Sequence, residues 1–352
     1  MRILLYSPAF LPQVGGLEIN VATLAAEFGA AGHEVVVITR TPGTGADDLS
    51  YRVVRRPTPR EFLRWTHWSD VFFQANVSLR GLWPLLFLRR PWVVSHHSWY
   101  CRSDGRIAWQ DRLKRYLLRH AAASIAVSRA VAADLGDHTV VIGNAYRDRL
   151  FRVLPRIERS RDLIALGRLV SDKGLDQLLE ALALLAAEGS WPRLTIAGDG
   201  PERPLLAAQA ERLGLAGQVD FRGTVIGEEL VCLLNQHKVL VVPSRYNEPF
   251  GIVALEGIAC GCVVVGSAGG GLTEAIGPCG RTYPNGDVPA LARALTDLLR
   301  DPAVREEHLR HAAEHLAPHT SAAVAERYLE VLVQAARHVA RERAVPVRSG
   351  AR

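Results

Sequence analysis

The sequence predicts an α/β protein with two domains of parallel sheet that face each other across a cleft. Short runs of β-branched and apolar residues alternate with helix-length amphipathic stretches, which is typical of a parallel sheet with helices on both faces. The alternation stops in a segment rich in proline and arginine, residues 144–161, which we interpret as the connection between the domains, and then restarts. A length of 352 residues also suits two domains.

The first half of the chain begins with a strand predicted at residues 3–6 and a glycine-bearing loop with Gly15 and Gly16. The helix that follows has four apolar residues at helical spacing, namely Leu17, Val21, Leu24 and Phe28. Further strands are predicted at residues 34–39, 71–73, 92–95, 124–127 and 139–142. We assign residues 1–155 to an N-terminal domain.

The second half repeats this pattern and is expected to form a domain over residues 156–325. Its predicted strands are residues 163–166, 193–197, 219–221, 239–242 and 263–266, and its predicted helices are 174–188, 204–213, 228–235 and 252–259. Residues 326–352 are expected to form a C-terminal helix, which could cross back to the N-terminal domain, and a disordered tail. Ligands of such sheets bind beyond the carboxyl ends of the strands.

Composition excludes several classes of protein. The five cysteines form no C-x-x-C pair and no histidine cluster accompanies them, so we interpret them as reduced thiols of a cytoplasmic protein and expect no metal site. The first residues run directly into a strand without a signal peptide. No apolar stretch reaches the roughly 18 residues that span a bilayer.

Positive charge is concentrated in the first half. Residues 1–155 carry 20 Lys and Arg against 12 Asp and Glu, a net +8, whereas residues 156–352 carry a net −2. This asymmetry indicates an anionic partner, such as a phosphorylated ligand, a lipid headgroup or a membrane surface. Solvated arginines are the alternative explanation. The absence of a zinc-finger spacing, an aromatic–glycine RNA motif and a long lysine run argues against nucleic acid.

Two basic segments of this half, residues 79–92 and 111–119, also carry apolar side chains. Apolar residues beside cations could rest on an anionic membrane, which would place the protein on the inner face of that membrane. The alternative for residues 79–92 is a buried helix that leads into a strand, with arginine stems along its edge.

The most informative segment, residues 243–256, lies between a predicted buried strand and a helix. Glu248 precedes the helix and Gly251 lies in its first turn, where free N–H groups and the positive end of the helix dipole suit a diphosphate. Glu256 lies about 12 Å beyond Glu248 if the segment is helical throughout. Two carboxylates so far apart suit the two ends of one ligand, a sugar and a ribose. A surface glutamate and a capping glutamate are the alternative.

A second segment, residues 167–174, follows the first strand of the second half. Its Arg168 and Lys173 can neutralise phosphate oxygens. Such cations would stabilise the charge of a nucleotide diphosphate as it leaves. The alternative is a strand-to-helix turn whose basic residues are solvated.

Together these segments resemble the family-4 retaining glycosyltransferases. The resemblance rests on the E-x7-E element at Glu248 and Glu256 and on the sequence GRLVSDKG at residues 167–174. Further elements follow in the order of the family: Gly15-Gly16, residues 141–151, Gly198-Asp199-Gly200, Pro243-Ser244 and residues 269–274. The resemblance implies a GT-B fold of two Rossmann-like domains, with the acceptor held mainly by the N-terminal one and the nucleotide-sugar donor mainly by the C-terminal one.

The resemblance also implies roles for individual residues at the donor. Arg168 and Lys173 would contact the donor diphosphate, Glu256 would bind the ribose hydroxyls, and Glu248 would contact the transferred sugar as a catalytic residue. The other expected donor-binding residues are Phe250, Gly251 and Ile252, through backbone N–H groups, and Gly15 and Gly16, which would let the N-terminal loop approach the donor.

A histidine pair ends the strand predicted at residues 92–95. Members of the family carry a histidine near the sugar at such a strand end, and the register favours His97 over His96 as the catalytic residue. A neutral imidazole there could hydrogen-bond a sugar hydroxyl. A histidine pair that only packs at the strand end is the alternative.

The implied activity is transfer of a hexose-type sugar, with a UDP-sugar preferred over a GDP-sugar, to a glycan, lipid or small-molecule acceptor. The positive charge of the first half indicates that this acceptor is anionic or membrane-associated. Retention of anomeric configuration without a metal ion or other cofactor is expected. Sugar phosphorylases, epimerases and non-catalytic nucleotide-sugar binders are the alternatives, and a dinucleotide oxidoreductase is disfavoured because the first βα turn lacks G-x-G-x-x-G. Gly143 and Cys262 replace prolines common in the family, which affects the hinge and a core strand.

Overall fold

A computed structural model describes residues 1–13, 15–43, 49–100, 107–136 and 139–344, with side chains up to residue 338. The chain forms two compact units. Unit 1 comprises Met1–Asn144 and the chain from Ser321 onward, and unit 2 comprises Ala145–Thr320. Each unit contains one parallel sheet, as the alternation in the sequence predicts.

Unit 1 is built on a seven-stranded sheet in the order β3-β2-β1-β4-β5-β6-β7. Its strands are β1 (Arg2–Ser7), β2 (Glu34–Thr39), β3 (Arg52–Arg55), β4 (Val71–Ala75), β5 (Trp92–His96), β6 (Ala123–Ala126) and β7 (Thr139–Val141). Strand β1 pairs in parallel with both β2 and β4. The central strands are buried on both faces, which explains why they are almost continuously apolar in sequence.

The helices of unit 1 that connect these strands are α1 (Gly16–Ala30), α2 (Pro59–Trp68), α3 (Leu79–Leu82), α4 (Trp109–Leu117) and α5 (Arg129–Leu135). Helix α1 buries Val21, Leu24 and Phe28, as its predicted spacing requires. Helix α2 begins with a reciprocal capping box between Thr58 and Glu61. Short 3₁₀ turns follow α3 at Trp83–Leu86 and α4 at Leu118–His120.

Unit 2 is built on a six-stranded sheet in the order β10-β9-β8-β11-β12-β13. Its strands are β8 (Arg161–Leu166), β9 (Leu194–Ala197), β10 (Val219–Gly223), β11 (His237–Val242), β12 (Val263–Ser267) and β13 (Gly280–Tyr283). Its helices are α6 (Leu175–Ala187), α7 (Arg203–Arg212), α8 (Gly227–Asn235), α9 (Ile252–Ala259), α10 (Leu272–Ile276), α11 (Val288–Arg300), α12 (Pro302–Leu309) and α13 (Ala312–Leu316). Leucines of α6 and α11 pack on the valines of β11 and β12 to form its core.

The final helix, α14 (Ser321–Ala344), belongs to unit 1 and packs against α1. Tyr328 is fully buried and its ring meets Phe73 edge-on at 5.8 Å between centroids. Arg327 donates to the carbonyl oxygen of Val141 at 2.7 Å. The chain therefore returns to unit 1 at Ser321, five residues before residue 326, where the C-terminal segment is predicted to begin. The tail expected to be disordered lies outside the described residues from 345 onward.

The boundary between the units falls after Asn144 rather than at residue 155, because residues 145–160 hydrogen-bond to unit 2. The Leu154 N–H donates to Asn235 Oδ1 at 2.7 Å. Arg159 donates to the carbonyl oxygens of Leu234 at 3.2 Å and Cys260 at 2.6 Å. The proline- and arginine-rich segment is thus part of unit 2 and not a free linker.

Residues 79–92 do not form the buried helix considered above. They form the single turn of α3, a 3₁₀ turn and the start of β5. Leu86 and Phe87 are 82% and 73% exposed. No helix in the described parts of the chain is both long and apolar enough to cross a membrane.

Candidate donor site and the histidine pair

Glycine-mediated backbone contacts hold together the loops at the carboxyl ends of β8, β9 and β11. Gly174 has a φ of +64°, and a Cβ there would lie 2.0 Å from the carbonyl oxygen of Pro243. Gly198 has a φ of +147°, and a Cβ there would lie 1.8 Å from the carbonyl oxygen of Gly167. Only glycine allows these approaches. The loops therefore meet at the edge of the sheet where α/β folds bind ligands.

Glu248 is the centre of a polar cluster in these loops. Its Oε1 accepts hydrogen bonds from Lys173 Nζ at 2.6 Å and from Ser244 Oγ at 2.7 Å. Its carbonyl oxygen accepts from the Gly271 N–H at 2.7 Å, and a Cβ on Gly270 would lie 2.2 Å from the same oxygen. The glycine run at residues 269–271 thus fixes the backbone that carries Glu248.

Glu256 lies on the buried side of α9, with 9% of its surface exposed, and pairs with Arg147. Arg147 Nη2 donates to Glu256 Oε1 at 3.2 Å, and the Arg147 guanidinium lies 4.9 Å from the centre of the Phe151 ring. Burial raises the pKa of Glu256 to about 7, and the charge of Arg147 opposes this rise. Glu256 is therefore a carboxylate whose charge changes near neutral pH.

The start of α9 lies in sequence between these two carboxylates. Its N-cap Gly251 has a φ of +110°, and a Cβ there would lie 2.6 Å from Leu272 Cδ1. The N–H groups of Gly251 and Ile252 have no hydrogen-bond partner within the described residues. Phe250 is 3% exposed and packs on the His319 ring at 5.4 Å. This turn therefore offers free donors at the positive end of a helix.

The two cations predicted in residues 167–174 differ in their surroundings. Lys173 pairs with Glu248, as described. Arg168 is exposed, and no carboxylate in the described parts of the chain lies within ion-pair distance of it. Arg168 is thus a cation at the ligand-binding edge of the sheet without a partner from unit 2.

The histidine pair in unit 1 divides into an interior residue and a partly exposed one. His96 is fully buried, and its ring nitrogens contact Tyr100 Oη at 2.7 Å and Ser124 Oγ at 3.0 Å. Burial lowers its pKa to about 3. His96 thus has no ring nitrogen left for a ligand.

His97 is only partly buried, and its surroundings fix its orientation. The ring Nε2 of His97 contacts Ser95 Oγ at 2.8 Å, and the backbone N–H of His97 donates to Asn76 Oδ1 at 2.7 Å. Asn76 itself has a φ of +59°. Burial lowers the pKa of His97 to about 4, and a hydrogen bond with the Asn144 side chain opposes this shift. The imidazole is therefore neutral near pH 7.

The glycine loop of unit 1 adopts a simple geometry. Gly15 is the N-cap of α1 with extended backbone, and Gly16 is the first residue of that helix. The Gly15 carbonyl oxygen accepts from the Ile19 N–H at 3.1 Å. A Cβ on Gly15 would lie 2.5 Å from Glu18 Oε2, the far end of a flexible side chain.

Four residues of these clusters were not predicted as site residues. Arg147 lies in the segment that the sequence predicts to be a linker. Asn76 adopts a left-handed conformation, and its residue type is the one indication of this in the sequence. Ser244 and Asn144 lie within motifs that carry the family resemblance, but the resemblance gives neither residue a role. Three or more His, Cys, Asp or Glu side chains that could hold a metal do not cluster anywhere in the described residues.

Comparisons with known proteins identify the architecture. Residues 14–145 match the family model described as Glycosyltransferase Family 4, and residues 146–316 match the model described as Glycosyl transferases group 1. The structure of Anabaena HepE in complex with UDP and glucose is similar, with a TM-score of 0.80 at 21% identity over 95% of this chain and 100% of that one.

Two relatives are similar over most of the chain. Glycogen synthase of Mycobacterium tuberculosis is 29% identical over an alignment of 377 positions that covers 90% of each chain. A GDP-mannose-dependent α-(1-6)-phosphatidylinositol dimannoside mannosyltransferase of the same species is 29% identical over an alignment of 365 positions that covers 90% of this chain and 92% of the relative. The two units with these loops thus define a glycosyltransferase of the GT-B fold. The chain belongs to the family-4, group 1 glycosyltransferases.

Proposed function

We propose that the protein transfers a hexose-type sugar from a nucleotide-diphosphate sugar, with UDP as the preferred nucleotide, to an acceptor bound by unit 1. One observation carries the proposal. Residues 248–256 present two cation-paired carboxylates on either side of a helix start with unpaired N–H groups. The N–H groups and Arg168 suit a diphosphate, while the carboxylates suit sugar and ribose hydroxyls.

The residues have separate roles in this proposal. Arg168 and Lys173 stabilise the diphosphate as its charge grows in the transition state. Glu248 orients the sugar, and its own position is fixed by Lys173 and Ser244. Glu256 binds the ribose. His97 contributes a neutral imidazole to a sugar hydroxyl or to the reacting centre.

The proposed reaction retains anomeric configuration and requires no metal ion. Two measurements test this. Nuclear magnetic resonance of the first product formed should show the anomer of the donor, and EDTA should leave the rate unchanged. An inverted product, or a rate that EDTA abolishes and Mg²⁺ restores, would contradict the proposal.

Donor binding is tested with a panel of UDP- and GDP-sugars, read by thermal shift and by slow hydrolysis in the absence of acceptor. A UDP-sugar should raise the melting temperature, since ligands that bind only the native state stabilise it. Arg168→Ala should remove this stabilisation, whereas Arg212→Ala, an exposed arginine on α7, should not. Lys173→Ala is a less specific test because it also leaves Glu248 without its cation.

The outcomes of the panel separate the proposal from its alternatives. No shift with any nucleotide sugar would refute a donor site. Binding without hydrolysis or transfer to any acceptor would favour a non-catalytic binder. The relatives named for glycogen and for a phosphatidylinositol mannoside support a search among glycan and lipid acceptors, together with small-molecule natural products.

The protein is also proposed to work in the cytoplasm on an anionic membrane surface. One face of α4 exposes Trp109, Leu113 and Tyr116 by 70%, 38% and 56%, and Arg112 and Arg119 are exposed on the same helix and its extension. Apolar and cationic side chains mixed on one helix face are typical of helices that rest on anionic lipid.

Vesicle co-sedimentation tests this membrane surface. The protein should bind phosphatidylglycerol vesicles at low salt and leave them at high salt. Trp109→Ser should reduce the bound fraction, and Trp191→Ser, a 60% exposed tryptophan of unit 2, should not. Equal loss from both variants, or no binding at low salt, would remove the membrane surface.

A further inference from the structure

A cavity in unit 1 lies at the carboxyl ends of β1, β2 and β3. Its volume is about 440 Å³, and three arginines line it, Arg40, Arg56 and Arg80. Arg40 directly follows β2, Arg56 directly follows β3, and Arg80 lies in α3. Three separate segments of the sequence thus bring a guanidinium to the edge of the sheet at which α/β folds bind ligands.

The described acidic residues of unit 1 do not neutralise these arginines. No carboxylate in the described residues pairs with the guanidinium of Arg40, Arg56 or Arg80. The acid of the adjacent α2, Glu61, accepts instead from Thr58 Oγ1 and the Thr58 N–H. Three guanidinium groups that lack a carboxylate partner among the described residues repel each other around one cavity, and an anion in the cavity relieves that repulsion.

The backbone of Arg56 is held in an unfavourable conformation. Its φ is +48°, in the left-handed region that a long side chain rarely adopts. Its N–H donates to the Thr39 carbonyl oxygen at 2.8 Å, and its Nε donates to the Arg40 carbonyl oxygen at 3.2 Å. These bonds keep the side chain at the end of β2. Strain of this kind is concentrated at functional sites.

Aromatic side chains form an apolar wall of the same cavity. The rings of Tyr6 and Phe62 stack at 5.5 Å, and Trp83 meets Phe62 edge-on at 5.8 Å. Gly81 permits this arrangement, because a Cβ there would lie 2.5 Å from Tyr6 Cε1. The close approach of α3 to Tyr6 brings both Arg80 and Trp83 to the cavity.

We propose that this cavity binds a phosphate ester of the acceptor, with the phosphate among Arg40, Arg56 and Arg80 and the carbon skeleton against the aromatic wall. Planar guanidinium groups match phosphate oxygens in geometry and charge. Only the identification of this phosphate ester as the acceptor rests on the proposed function. The binding site itself is independent of the donor residues in unit 2.

The test is isothermal titration calorimetry of the full-length protein with phenyl phosphate and, separately, with inorganic phosphate. Phenyl phosphate should bind more tightly than inorganic phosphate because its ring contacts the aromatic wall. Arg40→Gln and Arg80→Gln should each lower the affinity for phenyl phosphate by about tenfold or more, since each removes a charge-assisted hydrogen bond. Arg212→Gln, at an exposed arginine on α7 of unit 2, is the control and should change the affinity less than twofold.

A lipid source of the phosphate is distinguished with vesicles. Binding to phosphatidylglycerol vesicles that Arg40→Gln and Arg80→Gln abolish, with no binding of phenyl phosphate, would assign the cavity to a lipid headgroup. Binding of phenyl phosphate without such vesicle dependence would assign it to a soluble ester. Binding of neither phenyl phosphate nor vesicles, or an equal loss in Arg212→Gln, would overturn the site.

Failure of this inference is separable from failure of the proposed function. UDP-glucose should bind wild type, Arg40→Gln and Arg80→Gln with the same affinity, because neither arginine is among the proposed donor residues. If UDP-glucose binds and phenyl phosphate and vesicles do not, only the phosphate site is wrong. If a phosphate ester binds and no nucleotide sugar does, the transferase proposal is wrong and the anion site stands.

Discussion

Glu256 gives the proposed donor site a pH dependence that can be predicted in detail. Burial raises the pKa of its carboxyl group from the ordinary value of 4.5 to about 7, against the opposing charge of Arg147. About one tenth of Glu256 is therefore ionised at pH 6 and about nine tenths at pH 8. A ribose hydroxyl donates best to the ionised carboxylate.

The affinity for UDP-glucose should follow the ionised fraction. If only the ionised form binds, the apparent affinity is about tenfold lower at pH 6 than at pH 8, or about 1.4 kcal/mol. Glu256→Gln should bind more weakly at pH 8 by about 1.5–3 kcal/mol, the cost of losing a hydrogen bond to a charged group. Its affinity should not change with pH over this range, because the titrating group is gone.

Isothermal titration calorimetry between pH 6 and pH 8 measures both proteins. UDP-glucose is the titrant instead of UDP, because the diphosphate of UDP-glucose has no oxygen that titrates in this pH range. His97, with a pKa of about 4, remains neutral throughout. A flat profile for wild type, or the same slope in Glu256→Gln, would refute this explanation of the site.

Three further predictions concern the backbone, the histidine pair and acid stability. Gly174→Ala should destabilise the protein in urea unfolding by at least about 1–2 kcal/mol more than Gly189→Ala, because both have positive φ but only Gly174 abuts a backbone carbonyl; equal losses would contradict the steric argument. Asn76→Ala should slow UDP-glucose hydrolysis about tenfold with an unchanged KM, because it removes the acceptor for the backbone N–H of His97 at a cost of about 1–2 kcal/mol. Asn76→Asp keeps an acceptor and is the control. An unchanged rate in Asn76→Ala would exclude this positioning role. The lowered pKa of His96 contributes stability that is present above pH 6.5 and is lost as pH falls toward about 3, so the melting temperature of wild type should fall more steeply below pH 6.5 than that of His96→Gln.

Much of the fold follows from the sequence because central parallel strands are buried on both faces and read as apolar runs. Strands β3 and β13 were not predicted, and both lie at sheet edges. β3 reads RVVR, and β13 begins with Gly280, so neither has the long apolar run of an interior strand. Edge strands are defined by their one neighbour more than by their own residues.

The sequence places the domain boundary at residue 155 and the structure places it after Asn144, for a related reason. Prolines and arginines in residues 145–160 suggest a linker, yet arginines there donate to backbone carbonyls of unit 2. A sequence pattern does not reveal which carbonyl oxygens lack partners. For the same reason the sequence does not identify Arg147 as a site residue. Its role depends on the burial of Glu256, which lies 109 positions away in the chain.

The candidate site was more predictable than these contacts. Motif residues such as Lys173 and Glu248 lie together because both follow strands of one parallel sheet, and parallel strands end at the same edge. The choice between His96 and His97 required side-chain surroundings. Only the structure shows that Tyr100 and Ser124 occupy both ring nitrogens of His96.

The most direct test of the central claim is a crystal structure of the protein with UDP. The diphosphate should lie at the N–H groups of Gly251 and Ile252 beside Arg168, and the ribose should lie at Glu256. A nucleotide bound elsewhere, or no bound nucleotide at concentrations that saturate the thermal shift, would contradict the claim that residues 248–256 hold the donor.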